Sequence, residues 1–283
     1  MPETDHSTPL GLIAGGGDLP QTVVDSCRKT ERPVVVAMIE GSGARVDNVM
    51  AKTSVGIGEL GAVMDFFRAH NVTEVCFGGH VSRPNFKTLK VDSRGAKALP
   101  RVMAAAMRGD DSLLRAVLRT FENDGFDIVG AEEVSSNTLL PIGVFAGPKP
   151  KTDELKDVFK GITIASTLGA MDIGQGCVVT RGLVMAAEAQ EGTDRMLARV
   201  GNLPAKGGVL VKWPKPVQDR RIDLPTIGPS TIEGAARAGL VGVAGEADAT
   251  LMMKPDAMKA IAEKHGIFVL GLKPHATSGA KPK

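Results

Sequence analysis

Aromatic side chains are scarce: of 283 residues only 4% are Phe, Trp or Tyr, with one Trp and no Tyr at all. Single-stranded nucleic acids are held by stacking bases on such rings, so that class of partner is disfavoured at once. An excess of positive charge is missing too, because 34 Lys and Arg face 32 Asp and Glu for a formal net charge of +2. Without that excess there is little counterion release to drive binding to a duplex, and no nucleic-acid partner is expected. Cysteine is limited to Cys27, Cys76 and Cys177, an odd number, widely spaced and without a C-x-x-C pair. That pattern excludes a disulfide framework and fits a reducing compartment, with the three thiols as small buried hydrophobes. No run approaches the roughly 18 apolar residues of a membrane span. Met1 to His6 shows neither a basic n-region nor an apolar h-region, so no signal peptide is readable and a cytoplasmic location is expected.

Glycine and proline, at 34 and 17, are plentiful and punctuate the chain. Leu10 to Ala14 is a short apolar run entering Gly15-Gly16-Gly17 and then Asp18-Leu19-Pro20, which reads as strand, glycine loop and helix start. A β-branched run follows at Pro33 to Ile39, then helical spacing of Leu60, Val63, Met64 and Phe67, then a strand at Glu74 to Phe77 closing on Gly78-Gly79. The alternation predicts a Rossmann-like parallel sheet. Asp110 to Asn123 is an amphipathic helix, and Phe126 to Val129 another strand. Three prolines between residues 141 and 150 suggest a stiff linker, which divides the chain into residues 1–140 and 151–283. The second part restarts with a helix around Asp153 to Leu168 and again alternates, with strands near Cys177 to Thr180, Leu183 to Ala187, Gly208 to Trp213, Leu240 to Ala244 and Ile267 to Leu270. The expected fold is therefore α/β, in two α/β domains.

Several stretches could carry chemistry. Backbone amides of Gly15, Gly16, Gly17 and Asp18 ahead of a helix can cradle a phosphate, although the same glycines also suit a ligandless turn. Pro20 stands where the dinucleotide fingerprint needs Gly or Ala, while Glu40 sits where a ribose-binding acid would; a nucleotide-cofactor oxidoreductase is thus an alternative with one feature for it and one against. Arg83, after the Gly78-Gly79-His80 turn, can clamp a phosphate or lie solvated, and Asp110-Asp111 can cap the helix they open. Glu188, Glu191 and Asp194 recur every third residue around Gly192-Thr193, and Lys212 is followed by a proline-stiffened loop bearing Asp219 and Asp223. Carboxylates without Cys or His are hard oxygen ligands, suited to Mg2+ or Mn2+ if they converge and simply solvated if they do not.

Taken in order, Leu12-Ile13-Ala14-Gly15-Gly16-Gly17-Asp18-Leu19-Pro20, Gly109-Asp110-Asp111-Ser112-Leu113-Leu114, Glu188-Ala189-Gln190-Glu191-Gly192-Thr193-Asp194 and Lys215 to Pro229 resemble the LpxI-type UDP-2,3-diacylglucosamine pyrophosphatases of lipid A biosynthesis. The resemblance spans nearly the whole chain. It implies a two-domain hydrolase, with a ligand cleft between its domains, that cleaves the diphosphate of a nucleotide-linked glycolipid with Mg2+. It carries catalysis onto Asp223 first, with Asp219 and Lys212 beside it, and the metal onto Asp223, Glu188 and Glu191. Substrate contacts fall on Gly15, Gly16, Gly17, Asp18, Arg83, Asp111, Glu188, Gly192, Thr193 and Asp194. An amphiphilic substrate further implies transient contact with the inner face of the inner membrane, a homodimer is compatible with the resemblance, and a binding protein without turnover is the non-enzymatic alternative.

Overall fold

The computed structural model describes residues 8–135, 138–204, 206–216, 219, 221 and 224–274. The chain divides into two compact units, the first comprising residues 1–137 with 219–223, the second residues 138–218 with 224–283.

In the first unit, β1 (Leu10–Ala14), α1 (Leu19–Lys29), β2 (Val34–Ile39), β3 (Ala51–Val55), α2 (Leu60–Ala69), β4 (Glu74–Gly78), α3 (Ser93–Ala106), α4 (Asp110–Asn123), β5 (Asp127–Val129) and α5 (Ala131–Val134) follow one another. The strands lie in the order β3-β2-β1-β4-β5, all parallel, with Leu10 level with Val34 on one side and Glu74 on the other. That is the doubly wound order, and every residue of β1 is buried, as a strand covered on both faces must be. Phe67 of α2, Phe121 of α4 and Phe126 fill one side of the sheet with Met64, Val35 and Ala37. The Phe77 and Phe121 rings meet edge to face at 5.4 Å, an arrangement that adds about 1 kcal/mol beyond area burial. Pro20 at the start of α1 needs no amide partner and has a suitable φ. Three elements stand where no periodic signal predicted them: β3, half exposed, α3, which carries Gly95 and Pro100 inside it, and the single turn of α5.

In the second unit come β6 (Gly143–Ala146), α6 (Thr152–Ala170), β7 (Gly176–Thr180), β8 (Leu183–Ala187), α7 (Thr193–Gly201), β9 (Val209–Lys212), β10 (Thr226–Ile227), α8 (Pro229–Arg237), β11 (Gly242–Glu246), β12 (Leu251–Met252), α9 (Pro255–His265) and β13 (Phe268–Leu272). A six-stranded sheet runs β6-β13-β11-β9-β7-β8, with β9, β11 and β13 parallel and β7 antiparallel to both its neighbours. Alternate residues serve opposite faces. Val178, Leu210, Val243 and Val269 pack with Met196, Leu197, Ile232 and Met258 of α7, α8 and α9. Their neighbours Cys177, Val179, Val211 and Phe268 pack with Val158 and Ala165 of α6. Gly161 of α6 faces Val211, whose side chain occupies the space a Cβ would need. The stretch read as a linker carries β6, which pairs antiparallel with β13 and so belongs to the sheet.

Candidate active site

Reversal of strand order in the first unit falls between β1 and β4, and ligands of open parallel sheets bind at the carboxyl ends of such a pair. Gly15, Gly16 and Gly17 leave β1 there, and Gly79-His80 leave β4. The two loops interlock through their own backbones. Gly15 N–H donates to the Gly78 carbonyl, Gly16 N–H to that of His80 and His80 N–H to that of Gly16, each at 2.8 Å. A Cβ on Gly15 would lie 2.6 Å from the His80 carbonyl oxygen, one on Gly79 would lie 2.7 Å from the Gly15 carbonyl carbon, and one on Gly16 would strike the Ser42 carbonyl. The glycines are thus demanded by close approach of backbone to backbone, and two of the four amides expected to face a phosphate, those of Gly15 and Gly16, are spent inside the protein. Gly17, at φ +94°, turns the chain through Asp18 into α1.

Arg83 is exposed and stitches two helices together. One guanidinium nitrogen is 3.5 Å from Asp110, which opens α4, and another donates to the Ala106 carbonyl, which closes α3. Asp111, in the first turn of α4, is buried.

The second unit gathers charge at the carboxyl edge of its sheet. Lys212 ends β9 and Glu246 ends β11, both buried, and Glu188 follows β8, buried too. Gly176 lies between β8 and β9 at this level, paired with Lys212 and accepting the Glu188 N–H at 2.8 Å. The Glu188 carboxylate folds over Gly176 into the space a side chain would take. One of its oxygens accepts the Thr193 hydroxyl at 2.7 Å, and the other has no hydrogen-bond partner among the described residues. Thr193 is the first residue of α7, Gly192 its N-cap at φ +79°, and Asp194 is exposed in the first turn. The Lys212 ammonium donates to the Thr226 carbonyl at 3.2 Å. No carboxylate lies within ion-pair distance of it among the described residues.

The loop after β9 is pinned at its base, where Lys215 pairs with Asp172 at 2.7 Å, both largely buried. Further along, in the segment grouped with the first unit, Arg221 grips Asp219 with a fork: Nε lies 3.0 Å from Oδ1 and Nη2 2.7 Å from Oδ2. The same guanidinium reaches Glu122 of α4 at 3.0 Å. The fork holds the Asp219 carboxyl below the usual carboxylate range, chiefly through its hydrogen bonds.

These contacts bear on the expected ion. Glu191 is bound to Arg199, Asp219 to Arg221, and Glu188 offers one open oxygen. No three His, Cys, Asp or Glu among the described residues gather as a cation site. The described residues do not by themselves form a Mg2+ shell, and Asp223 lies outside them. Sequence reasoning did not single out Gly176, Asp172, Arg221 or Glu122. Arg221 was visible inside the Gln218-Asp219-Arg220-Arg221 run, but its partner Glu122 is 99 positions away and no spacing rule links them.

The architecture defines a two-unit α/β protein: one unit has a glycine-loop switch point, and the other has a buried lysine and glutamate at its sheet edge. The LpxI N-terminal domain family matches residues 9–138 and the LpxI C-terminal domain family residues 141–270. A curated relative from Caulobacter vibrioides, UDP-2,3-diacylglucosamine pyrophosphatase LpxI, is 46% identical over 273 residues, covering 94% of this chain and 98% of its own. The chain belongs to the LpxI family. A solved structure of CobK precorrin-6A reductase aligns over 96% of this chain and 90% of that one at 13% identity and a TM-score of 0.34, too loose a likeness to assign a fold.

Proposed function

We propose that this protein hydrolyses the diphosphate bond of UDP-2,3-diacylglucosamine, giving UMP and 2,3-diacylglucosamine 1-phosphate. The observation that carries the reading is the near full-length 46% identity to a relative bearing that activity in its name, with both family domains in order. Chemistry at the second sheet edge supports it. Lys212, buried and without an anionic partner among the described residues, supplies the fixed positive charge that a phosphoryl oxygen gains from most when water is excluded. Thr193 fixes the rotamer of Glu188 and leaves one carboxylate oxygen available as a hydrogen-bond acceptor or ligand. The N-terminus of α7, opened by Gly192 and Thr193, lies beside that carboxylate.

Asp223 as the essential acid, with Asp219 near it in the sequence, and a requirement for Mg2+ are parts of the same proposal and come from the family resemblance; Mn2+ as a replacement follows from the hard oxygen character of the carboxylates. So do the glycolipid contacts of Gly15 to Asp18, Arg83, Asp111 and Asp194. When bound, the cation would neutralise diphosphate charge and lower the pKa of a water.

The experiment is direct: purified protein is mixed with the substrate in detergent micelles and UMP release is followed. Hydrolysis is expected with Mg2+ and its loss on chelation. Asp223→Ala is expected to lower kcat by at least about a hundredfold with circular dichroism unchanged. Absence of UMP with either cation would overturn the hydrolase reading, and near-normal turnover of Asp223→Ala would overturn the role given to that residue.

A further inference from the structure

One helix of the first unit presents an outward face that neither the glycine loop nor the carboxylate segments use. α3 turns Gly95, Ala105 and Ala106 inward and packs on α2 and α4. Its opposite side carries Pro100, Met103, Ala104 and Met107 at i, i+3, i+4 and i+7, one apolar stripe along the helix and its C-cap. Met103 is 44% exposed and Met107 90% exposed. Lys97, Arg101 and Arg108 are exposed along one flank of that stripe, and none has an ion pair among the described residues. The half-buried Arg94, by contrast, is paired with Asp65 at 2.6 Å. Charge is concentrated here: seven Lys and Arg between Arg83 and Arg108 meet only Asp92, a net +6, whereas the whole chain carries +2, leaving −4 for the remainder. Such a segment, apolar along its crest and cationic along its side, matches the interfacial helices that lie in the headgroup layer of a bilayer.

We propose that the α3 face is a docking surface for an anionic phospholipid bilayer, with Met103 and Met107 entering the headgroup boundary and Lys97, Arg101 and Arg108 lying over lipid phosphates. Charge decides between occupants. A second copy applied to this face by a two-fold axis would set the unpaired cations of one copy against those of the other, which costs energy. An anionic bilayer matches the cations and also accommodates the methionine crest. The inference does not rest on the hydrolase reading.

The test uses the full chain without substrate and measures partition onto phosphatidylcholine vesicles with and without phosphatidylglycerol. Binding is expected to the anionic vesicles only and to weaken as salt is raised. Each cation near a charged surface contributes about fivefold in partition, so Lys97→Ala/Arg101→Ala/Arg108→Ala together should lose about a hundredfold. Met103→Ser/Met107→Ser should lose roughly tenfold while circular dichroism and melting stay as in the parent. Equal binding to neutral and anionic vesicles, or a triple variant that binds like the parent, would overturn the proposal. So would a sedimentation shift to dimer that Met107→Ser abolishes in the absence of vesicle binding, since the face would then belong to a second copy. Because no substrate is present, failure here leaves UMP release untouched, and failure of UMP release leaves this result untouched.

Discussion

Replacement of Gly16 by alanine tests whether the glycine loop is built for backbone contact. The added methyl would collide with the Ser42 carbonyl, a backbone atom that cannot swing aside as a side-chain tip would. Relief requires moving the loop away, which breaks the reciprocal pair between Gly16 and His80, two bonds of 2.8 Å. Each such bond contributes about 0.5–1.5 kcal/mol net, and overpacking adds about 1–3 kcal/mol. The expected loss is thus about 2–6 kcal/mol, which at about 2–4 °C per kcal/mol is a fall of roughly 4–24 °C in Tm. Gly17→Ala is the internal control: its φ is +94° but nothing lies within 4 Å of the new Cβ, so only backbone strain of about 1–2 kcal/mol is incurred. Urea unfolding of the three proteins, with hydrogen exchange at the Gly16 and His80 amides, measures both effects. A Gly16→Ala protein no less stable than Gly17→Ala, with both amides still protected, would refute the interlock.

Two further outcomes follow from the ionisable groups. Asp219 titrates below its unfolded value because Arg221 binds it, so it contributes stability that is present above about pH 4 and lost as the pH falls through its depressed folded value. Arg221→Gln should raise that carboxyl toward the ordinary range and flatten the acid limb of the stability curve; carboxyl NMR titration showing Asp219 unmoved would contradict the fork. Burial pushes the Cys27 thiol up to about 11 and the Cys177 thiol up to about 12, with Cys76 raised further still. At pH 8 the native protein should therefore resist a thiol reagent and yield three reactive thiols only after denaturation; stoichiometric labelling of the folded chain would show that the burial is wrong.

The sequence made the fold legible wherever one physical signal dominated. β1 and α4 stood out because an all-buried strand leaves an unbroken apolar run, Leu10–Ala14, and an amphipathic helix leaves a clear period in Leu113, Leu114, Val117, Leu118 and Phe121. β3 escaped because Ala51–Val55 alternates half-buried and exposed positions with polar side chains among them, leaving no apolar run. α3 escaped because Gly95 and Pro100 read as breakers, although Asp92 caps the helix by accepting from Gly95 N–H. α9 could have been found from Pro255 at its first turn and Gly266 in the left-handed conformation at its end. In the candidate site, Lys212 and Glu188 were legible as chemistry-bearing residues near predicted strand ends. That Gly176 makes room for the carboxylate, and that His80 consumes an amide of the glycine loop, depends on strand register, which spacing along the chain does not encode.

The first unit is discontinuous in the chain, and this has a consequence for synthesis. Glu122 must wait for Arg221, made 99 residues later, which at translation rates of roughly 5–20 residues per second is an interval on the order of 5–20 s. During that interval the nascent sheet can form while the carboxylate of Glu122 has yet to meet its guanidinium. Arg221 can settle onto the earlier-made α4 only after β9, which precedes it, has left the ribosome, so completion of the first unit falls late in translation.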